Sequence, residues 1–176
     1  PNLVSLVADT REAPATLALL EHPDTAIVDF TGSPAFGQWI EKNCSDKLVY
    51  TETAGCNSVV IESTDDFDGM VKAVAHSLCQ ASAQMCTSVQ NVHVPREGVL
   101  HRGEKVSFDE IAGAIVSAVD HYMENPLVLC GSLVNDSILA TIDDYRALAD
   151  QHGRLLRDSA PCHYPEFPDA RTASPL

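Results

Sequence analysis

The sequence predicts an α/β fold with mainly parallel strands, because short apolar segments alternate along the chain with segments of helical periodicity. Two of the helical segments carry clear apolar stripes at spacings of three and four residues. The 176 residues, 45% of them hydrophobic, suffice for a domain with a sizeable core. The sequence contains no internal repeat.

The N-terminal third alternates between strand and helix. Segment 25–30, TAIVDF, predicts a buried strand. Segment 34–43, PAFGQWIEKN, predicts a helix with Ser33 as its cap and Pro34 in its first turn. Two more strands are predicted on either side of the turn-like TAGCN: KLVYTE (47–52) and SVVIES (58–63).

Two amphipathic helices dominate the middle of the chain. Within residues 65–82 the apolar positions recur with helical spacing. From Ser107 onward the same spacing returns, and Ser107 with Glu110 forms a capping-box pattern. The intervening segment predicts a strand at 89–95, VQNVHVP, followed by a loop, REGVLHRGEKV.

The C-terminal part gives weaker signals. A third helix is predicted over about 135–151, ending at Gly153. The next five residues, RLLRD, predict a short strand. The Pro-rich polar segment after residue 160 is expected to be irregular.

Composition limits the classes of partner. The 25 acidic and 11 basic residues give a formal charge of −14, which disfavours binding to nucleic acid or anionic membranes. No apolar run approaches the roughly 20 residues that span a bilayer, and the N-terminus lacks the basic region of a signal peptide. The six cysteines are thinly spread, which favours reduced thiols in the cytoplasm.

The segment FTGSPAFG (30–37) offers a candidate phosphate site. A strand is predicted to end there and a helix to begin, so backbone N–H groups would point at a ligand above Gly32. The segment is neither a GxGxxG nor a P-loop motif. Taken alone, the segment is better explained as an ordinary capped turn, since most such turns bind nothing.

Cys86, in the segment ASAQMCTSVQ, admits three interpretations: a reactive thiol, a metal ligand or a small buried hydrophobe. A metal site would draw on His76, Cys79, Cys86 and His93, although their spacing matches no common zinc motif. Glu52 ends a predicted strand, where it is either a solvated carboxylate or a functional one.

Three motifs together resemble the aldehyde dehydrogenase superfamily. VDFTGSPAFG, YTETAGCNSVVIEST and SAQMCTSVQNVHVP occur in the family's order, and Glu52 and Cys86 are 34 residues apart (86 − 52), the separation of its catalytic Glu and Cys. Within the superfamily, the aldehyde dehydrogenases of bacterial phenylacetic acid degradation look most similar to YTETAGCNSVVIESTDDFDGMV, QMCTSVQNVHVPREGV and the closing PEFPDARTASPL. The sequence departs from the family at Ala54, Cys56 and Ala83, where the pattern has Gly, Lys and Gly.

The resemblance implies an NAD(P)-dependent oxidation of an aldehyde to an acid. Cys86 is then the nucleophile and Glu52 the base that activates the hydrolytic water. The cofactor, NAD or NADP, is expected to contact four residues of the first turn: Thr31, Gly32, Ser33 and Phe36. No metal is expected. The implied substrate is a CoA-linked semialdehyde from aromatic degradation.

The resemblance further implies a partial fold: residues 1–53 would be the end of the cofactor-binding domain, and 54–176 much of the catalytic α/β domain. We therefore expect a central fragment that is inactive in isolation, from a full-length protein that is a cytoplasmic homo-oligomer. Two alternatives stay open from the sequence: a non-catalytic binding or assembly module, and a Cys/His metal-binding domain.

Overall fold

The structure is a computed structural model that describes residues 3–10, 14–125, 130–133 and 137–175. The chain divides into two compact units, Pro1–Gly55 and Cys56–Leu176. They are called the N-terminal and C-terminal units below.

The N-terminal unit is a parallel strand pair with helices before and between its strands. Its elements are α1 (Ala15–Glu21), β1 (Ile27–Gly32), α2 (Pro34–Asn43) and β2 (Leu48–Thr53). The strands pair from Ile27 opposite Leu48 to Gly32 opposite Thr53. The sequence prediction is confirmed for β1, α2 and β2 to within two residues, whereas α1 was missed because seven residues carry little periodicity.

The core of the N-terminal unit lies between α1, α2 and one face of the strands. It consists of Leu20, Val28, Ile40 and Cys44, with Phe30, Phe36 and Val49 packed against them. Residues of the opposite strand face, such as Ile27 and Tyr50, are exposed.

The C-terminal unit is mainly parallel α/β. Its elements are β3 (Ser58–Val60), β4 (Ser63–Thr64), α3 (Phe67–Cys79), β5 (Asn91–His93), β6 (Val99–His101), β7 (Glu104–Val106), α4 (Phe108–Met123) and α5 (Ser137–His152). Strand β3 pairs with β5 and β4 with β6, both in parallel, while β6 and β7 are antiparallel. The α/β prediction with mainly parallel strands is confirmed.

The core of this unit forms where α3 and α4 pack on the strands. Ile61, Val74, Val99 and Ile111 are its centre, and a second cluster joins Ala75 and Cys79 of α3 to Val119 of α4. The two helices follow the predicted stripes, and the predicted capping box is present, with Ser107 and Glu110 each accepting a hydrogen bond from the other's backbone.

Segment 58–63 was predicted as one strand, but it forms two short ones. The N–H of Ile61 donates to the carbonyl of His93 at 2.9 Å, whereas the carbonyl of Glu62 accepts from Leu100 at 3.1 Å. The chain therefore changes partner from β5 to β6 within two residues, which interrupts the regular pairing.

Two sequence predictions are wrong. The predicted loop REGVLHRGEKV contains the hairpin β6–β7, whose two-residue turn places Arg102 at φ 51° and Gly103 at φ 87°. The segment RLLRD is not a strand. Instead, Arg154 pairs with Asp109, and Arg157 with Asp120 at 2.7 Å, so side chains rather than a backbone ladder attach it to α4.

The third predicted helix is present as α5, and its first two predicted residues, 135–136, lie outside the described ranges. Within those ranges, no helix has the length and apolar character to cross a membrane.

Candidate active site

The turn between β1 and α2 has the geometry of an anion site. Ser33 is the N-cap of the ten-residue α2, and its hydroxyl accepts the N–H of Phe36 at 3.4 Å. The first turn of α2 contains no acidic residue, so nothing there opposes a negative ligand. A Cβ at Gly32 would lie 2.5 Å from the Phe30 ring, which explains why the smallest residue occupies this turn.

Thr31 and Glu52 lie opposite each other at the carboxyl ends of β1 and β2. Both are exposed, and alternation along the strands places them on the face that α2 does not cover. The ends of parallel strands are the usual location of functional groups in α/β proteins. A polar pair is therefore available beside the Gly32–Ser33 turn.

Phe36 has a structural role that the sequence did not indicate. Its ring is half-buried, meets Phe30 edge-on at 5.3 Å and stacks on Trp39 at 5.6 Å between centroids. These contacts fix the first turn of α2 against the strand pair.

Cys86 lies on an exposed turn of the C-terminal unit. The N–H of Ser88 donates to the carbonyl of Met85 at 3.1 Å, so residues 85–88 form a turn with Cys86 at its second position. The thiol is exposed rather than part of the core, which excludes the buried-hydrophobe interpretation. A nucleophile needs such access to a substrate.

Asn57 connects the Cys86 turn to the start of β3. Its side-chain NH₂ donates to the carbonyl of Cys86 at 2.5 Å and to that of Ser88 at 2.9 Å. Its backbone N–H donates to the Gln90 side chain at 3.2 Å, and its carbonyl accepts the N–H groups of Gln90 and Asn91 at 3.0 Å each. Asn57 thus contacts four residues of the segment 86–91.

The segment before Cys86 has an unusual backbone. Ala81, Ser82 and Ala83 have φ angles of 48°, 58° and 60°, in the left-handed region that costs a residue with a Cβ about 1–2 kcal/mol. The Ser82 hydroxyl accepts the N–H of Gly131 at 2.5 Å, which ties this strained segment to another part of the unit.

Ser88, the last residue of the Cys86 turn, is buried. The residue is 1% exposed, and its hydroxyl has no hydrogen-bond partner among the described residues. Burial of an unpaired hydroxyl disfavours this position of the turn. The hydrogen bonds from Asn57 therefore hold the turn in place against the free-energy cost of burying the Ser88 hydroxyl.

Two buried thiols of the C-terminal unit, Cys79 and Cys130, differ in environment from Cys86. Burial raises the pKa of Cys79, an effect that the charge of Arg157 partly opposes. Burial, with a hydrogen bond and a Coulombic contribution from Cys162, raises the pKa of Cys130 to about 12. Neither thiol forms a thiolate readily near neutral pH.

Metal binding gains no support from side-chain geometry. In the described part of the chain, no three His, Cys, Asp or Glu side chains are arranged to hold a metal ion. Of the four residues considered from the sequence, Cys79 is buried and Cys86 exposed, while His76 packs edge-on against Tyr122.

The candidate residues are thus distributed over both units. Thr31, Gly32, Ser33, Phe36 and Glu52 lie around one end of the N-terminal strand pair, whereas Cys86 belongs to the C-terminal unit. Sequence reasoning missed Asn57 and Ser88. The position of Asn57 directly before a strand was the only available signal, and it did not indicate a contact with a turn 29 residues away.

These features describe an α/β protein with an anion-suited turn, a strand-end carboxylate and an exposed thiol on a fixed turn. The sequence profile described as "Aldehyde dehydrogenase family" matches residues 1–161. The chain belongs to the aldehyde dehydrogenase family.

Known relatives agree with this assignment. The chain is 43% identical to the crystal structure of an NAD-dependent aldehyde dehydrogenase from Burkholderia multivorans, with a TM-score of 0.81 over 92% of this chain and 29% of that one. It is 26% identical to 1-pyrroline-5-carboxylate dehydrogenase of Oceanobacillus iheyensis, covering 78% of this chain and 27% of the relative. N-succinylglutamate 5-semialdehyde dehydrogenase of Erwinia tasmaniensis is also 26% identical, covering 79% of this chain and 29% of the relative. The chain spans less than a third of the length of each.

Proposed function

We propose that this chain supplies the nucleophile, the base and part of the cofactor site of an NAD(P)-dependent aldehyde dehydrogenase. The observation that carries the proposal is the exposed Cys86 thiol on a turn held by side-chain hydrogen bonds, in a chain of this family. Under this proposal the N-terminal unit is the end of the cofactor domain, and the C-terminal unit belongs to the catalytic domain.

In the proposed reaction the Cys86 thiolate attacks the aldehyde carbon to give a thiohemiacetal, and the backbone N–H of Cys86 donates to the oxygen that becomes negative. Loss of hydride from that carbon leaves a thioester on Cys86. Glu52 takes a proton from water, which attacks the thioester and releases the acid and the free thiol.

The residues of the first turn suit a dinucleotide cofactor, whose nicotinamide would accept the hydride. We assign the pyrophosphate to the N-terminus of α2 and the Ser33 hydroxyl, where Gly32 would allow a close approach of the backbone. We assign Thr31 and Gly32 to the nicotinamide side and Phe36 to the adenine side. The cofactor proposed is NAD or NADP, and the relative at 43% identity is an NAD-dependent aldehyde dehydrogenase.

For the substrate we propose a semialdehyde. The named relatives include a 1-pyrroline-5-carboxylate dehydrogenase and an N-succinylglutamate 5-semialdehyde dehydrogenase. The finer proposal, from the resemblance to the phenylacetic acid degradation enzymes, is a CoA-linked semialdehyde. The ratio of kcat/KM for CoA-linked and free semialdehydes tests it, and a preference for free semialdehydes overturns it.

We further propose that residues 1–176 alone do not turn over aldehyde, because the relatives of this family are about three times as long. The natural polypeptide would act as a homo-oligomer in the cytoplasm. Sedimentation of that polypeptide as a monomer at high concentration contradicts the oligomer, and turnover by the 176 residues contradicts the first statement.

The central experiment compares Cys86→Ala with Cys56→Ala in the natural polypeptide containing these residues, since both thiols are exposed. We expect Cys86→Ala to abolish NAD(P)H formation and Cys56→Ala to retain it. Glu52→Gln should lower kcat about 100- to 10,000-fold while the first turnover still releases one NAD(P)H per site. Wild-type turnover in Cys86→Ala refutes the proposal.

A further inference from the structure

We propose that Asn57 is a positioning residue for the nucleophile, because its side chain ties the backbone of the Cys86 turn to the start of β3. The inference rests on the proposed function, in which Cys86 attacks the substrate. Asn57 itself touches the backbone of the turn rather than the thiol, so its effect would act through Cys86.

The contact requires an amide. The side-chain NH₂ of Asn57 has two hydrogens, and each one is directed to a different carbonyl oxygen, at 2.5 Å for Cys86 and 2.9 Å for Ser88. A carboxylate of the same shape has no hydrogen to donate and would place negative oxygens against two carbonyls. Serine or alanine would leave at least one of the carbonyls without this donor.

The contact also restrains the orientation of the Cys86 side chain, which the proposed attack on the substrate requires. The orientation of the Cys86 carbonyl determines the backbone torsion that follows its Cα, and so constrains the direction of the Cα–Cβ bond that carries the thiol. Small displacements of a reacting group lower rates strongly. Because the Cys86 side chain is exposed, it lacks the packing that holds a core residue in place.

The unpaired Ser88 hydroxyl gives independent support. The buried hydroxyl of Ser88 finds no partner in the part of the chain that the structure describes, which by itself favours movement of the turn towards water. The Asn57 amide holds the carbonyl of that same residue. Removal of the amide should therefore release the turn rather than leave it in place.

The first test is native-state hydrogen exchange of Asn57→Asp, with Asn91→Asp as the matched control. Asn91 lies on β5, is exposed, and receives the same change in charge. Each neutral hydrogen bond raises the equilibrium constant for the closed state of the turn about fivefold. Loss of both bonds in Asn57→Asp should therefore make the amides of Ser88 and Gln90 exchange about 30-fold faster. Asn91→Asp should change them less than about threefold.

The amide of Ile61 provides an internal reference, because it donates to His93 within the adjacent strand pairing. If the change at Ser88 and Gln90 is matched at Ile61, the variant has destabilised the whole unit and the positioning role is wrong. Asn57→Gln keeps both donors on a longer side chain, and its exchange should lie closer to wild type than that of Asn57→Asp.

The second test measures turnover in the natural polypeptide. We expect Asn57→Asp to lower kcat at least about tenfold, with the KM for NAD(P) unchanged, because the cofactor residues lie elsewhere in the chain. Unchanged kcat with accelerated exchange overturns the positioning role, as does unchanged exchange. Turnover by Cys86→Ala would instead refute the proposed function, and the exchange result at Ser88 would stand independently.

Discussion

Replacement of Gly37 by alanine tests how tightly α2 packs against β2. Gly37 is buried in the first half of α2, and a Cβ added there would lie 2.7 Å from the Cγ2 of Thr53, the last residue of β2. That separation is too short for two carbon atoms, so one element must move. Since Thr53 directly follows Glu52, a shift there would also displace the candidate base.

Two effects of opposite sign decide the outcome. Alanine improves helix propensity by about 1 kcal/mol over glycine. Overpacking costs about 1–3 kcal/mol when the neighbour cannot yield, and the Thr53 methyl is on a short branched side chain. The net expectation for Gly37→Ala is a loss of about 1 kcal/mol in the free energy of unfolding.

The second variant, Thr53→Ser, removes the methyl group that would clash. In that background Gly37→Ala should stabilise by up to about 1 kcal/mol, because only the propensity gain is left. The double-mutant cycle should therefore give a coupling free energy of about 2 kcal/mol.

Urea denaturation followed by tryptophan fluorescence is the appropriate assay. Trp39, the only tryptophan of the sequence, lies on α2 and stacks on Phe36, so its emission reports this unit. Equal effects of Gly37→Ala in the two backgrounds, within about 0.5 kcal/mol, would refute the packing argument.

Three further predictions concern the C-terminal unit, with stability measured by far-UV circular dichroism. Ala83→Gly should raise the free energy of unfolding by about 0.5–1 kcal/mol, because φ of Ala83 is 60°. The control Ala75→Gly, inside α3, should lower it. A loss of stability in both variants would contradict the left-handed conformation of Ala83. Ser88→Ala should be neutral or stabilising by about 1 kcal/mol, since no bond is lost, and a loss above about 1 kcal/mol would reveal a missed partner. Hydrogen bonds from Ser107 lower the pKa of Glu110 below its ordinary 4.5. The ionised carboxylate therefore stabilises the folded state above pH 4.5, and this stabilisation is lost as the pH falls through the folded-state pKa. The stability difference between wild type and Glu110→Gln should therefore shrink on acidification, and a constant difference would exclude this linkage.

The elements that the sequence predicted well are those with a local cause. The stripes of α3 and α4 repeat within single helices, and the caps at Ser33 and Ser107 act over three residues. The errors have causes outside the segment concerned. RLLRD has the composition of a strand, but Arg154 and Arg157 find carboxylates on α4.

The candidate site shows the same division. The resemblance selected Cys86 and Glu52, and the turn chemistry drew attention to Gly32 and Ser33. No local pattern indicated that Asn57 would hold the Cys86 turn, because this contact follows from the parallel pairing of β3 with β5.

For this protein, the sequence by itself predicted the helices α2 to α5, where two of them begin, and the motifs that resemble the family. These features depend on propensity, periodicity and capping within a few neighbouring residues. Tertiary structure alone decided that Cys86 lies on an exposed turn, that Ser88 is buried without a partner, and that Asn57 donates to both of their carbonyls. Burial and long-range hydrogen bonds depend on which strands pair, and that choice is made by the whole chain.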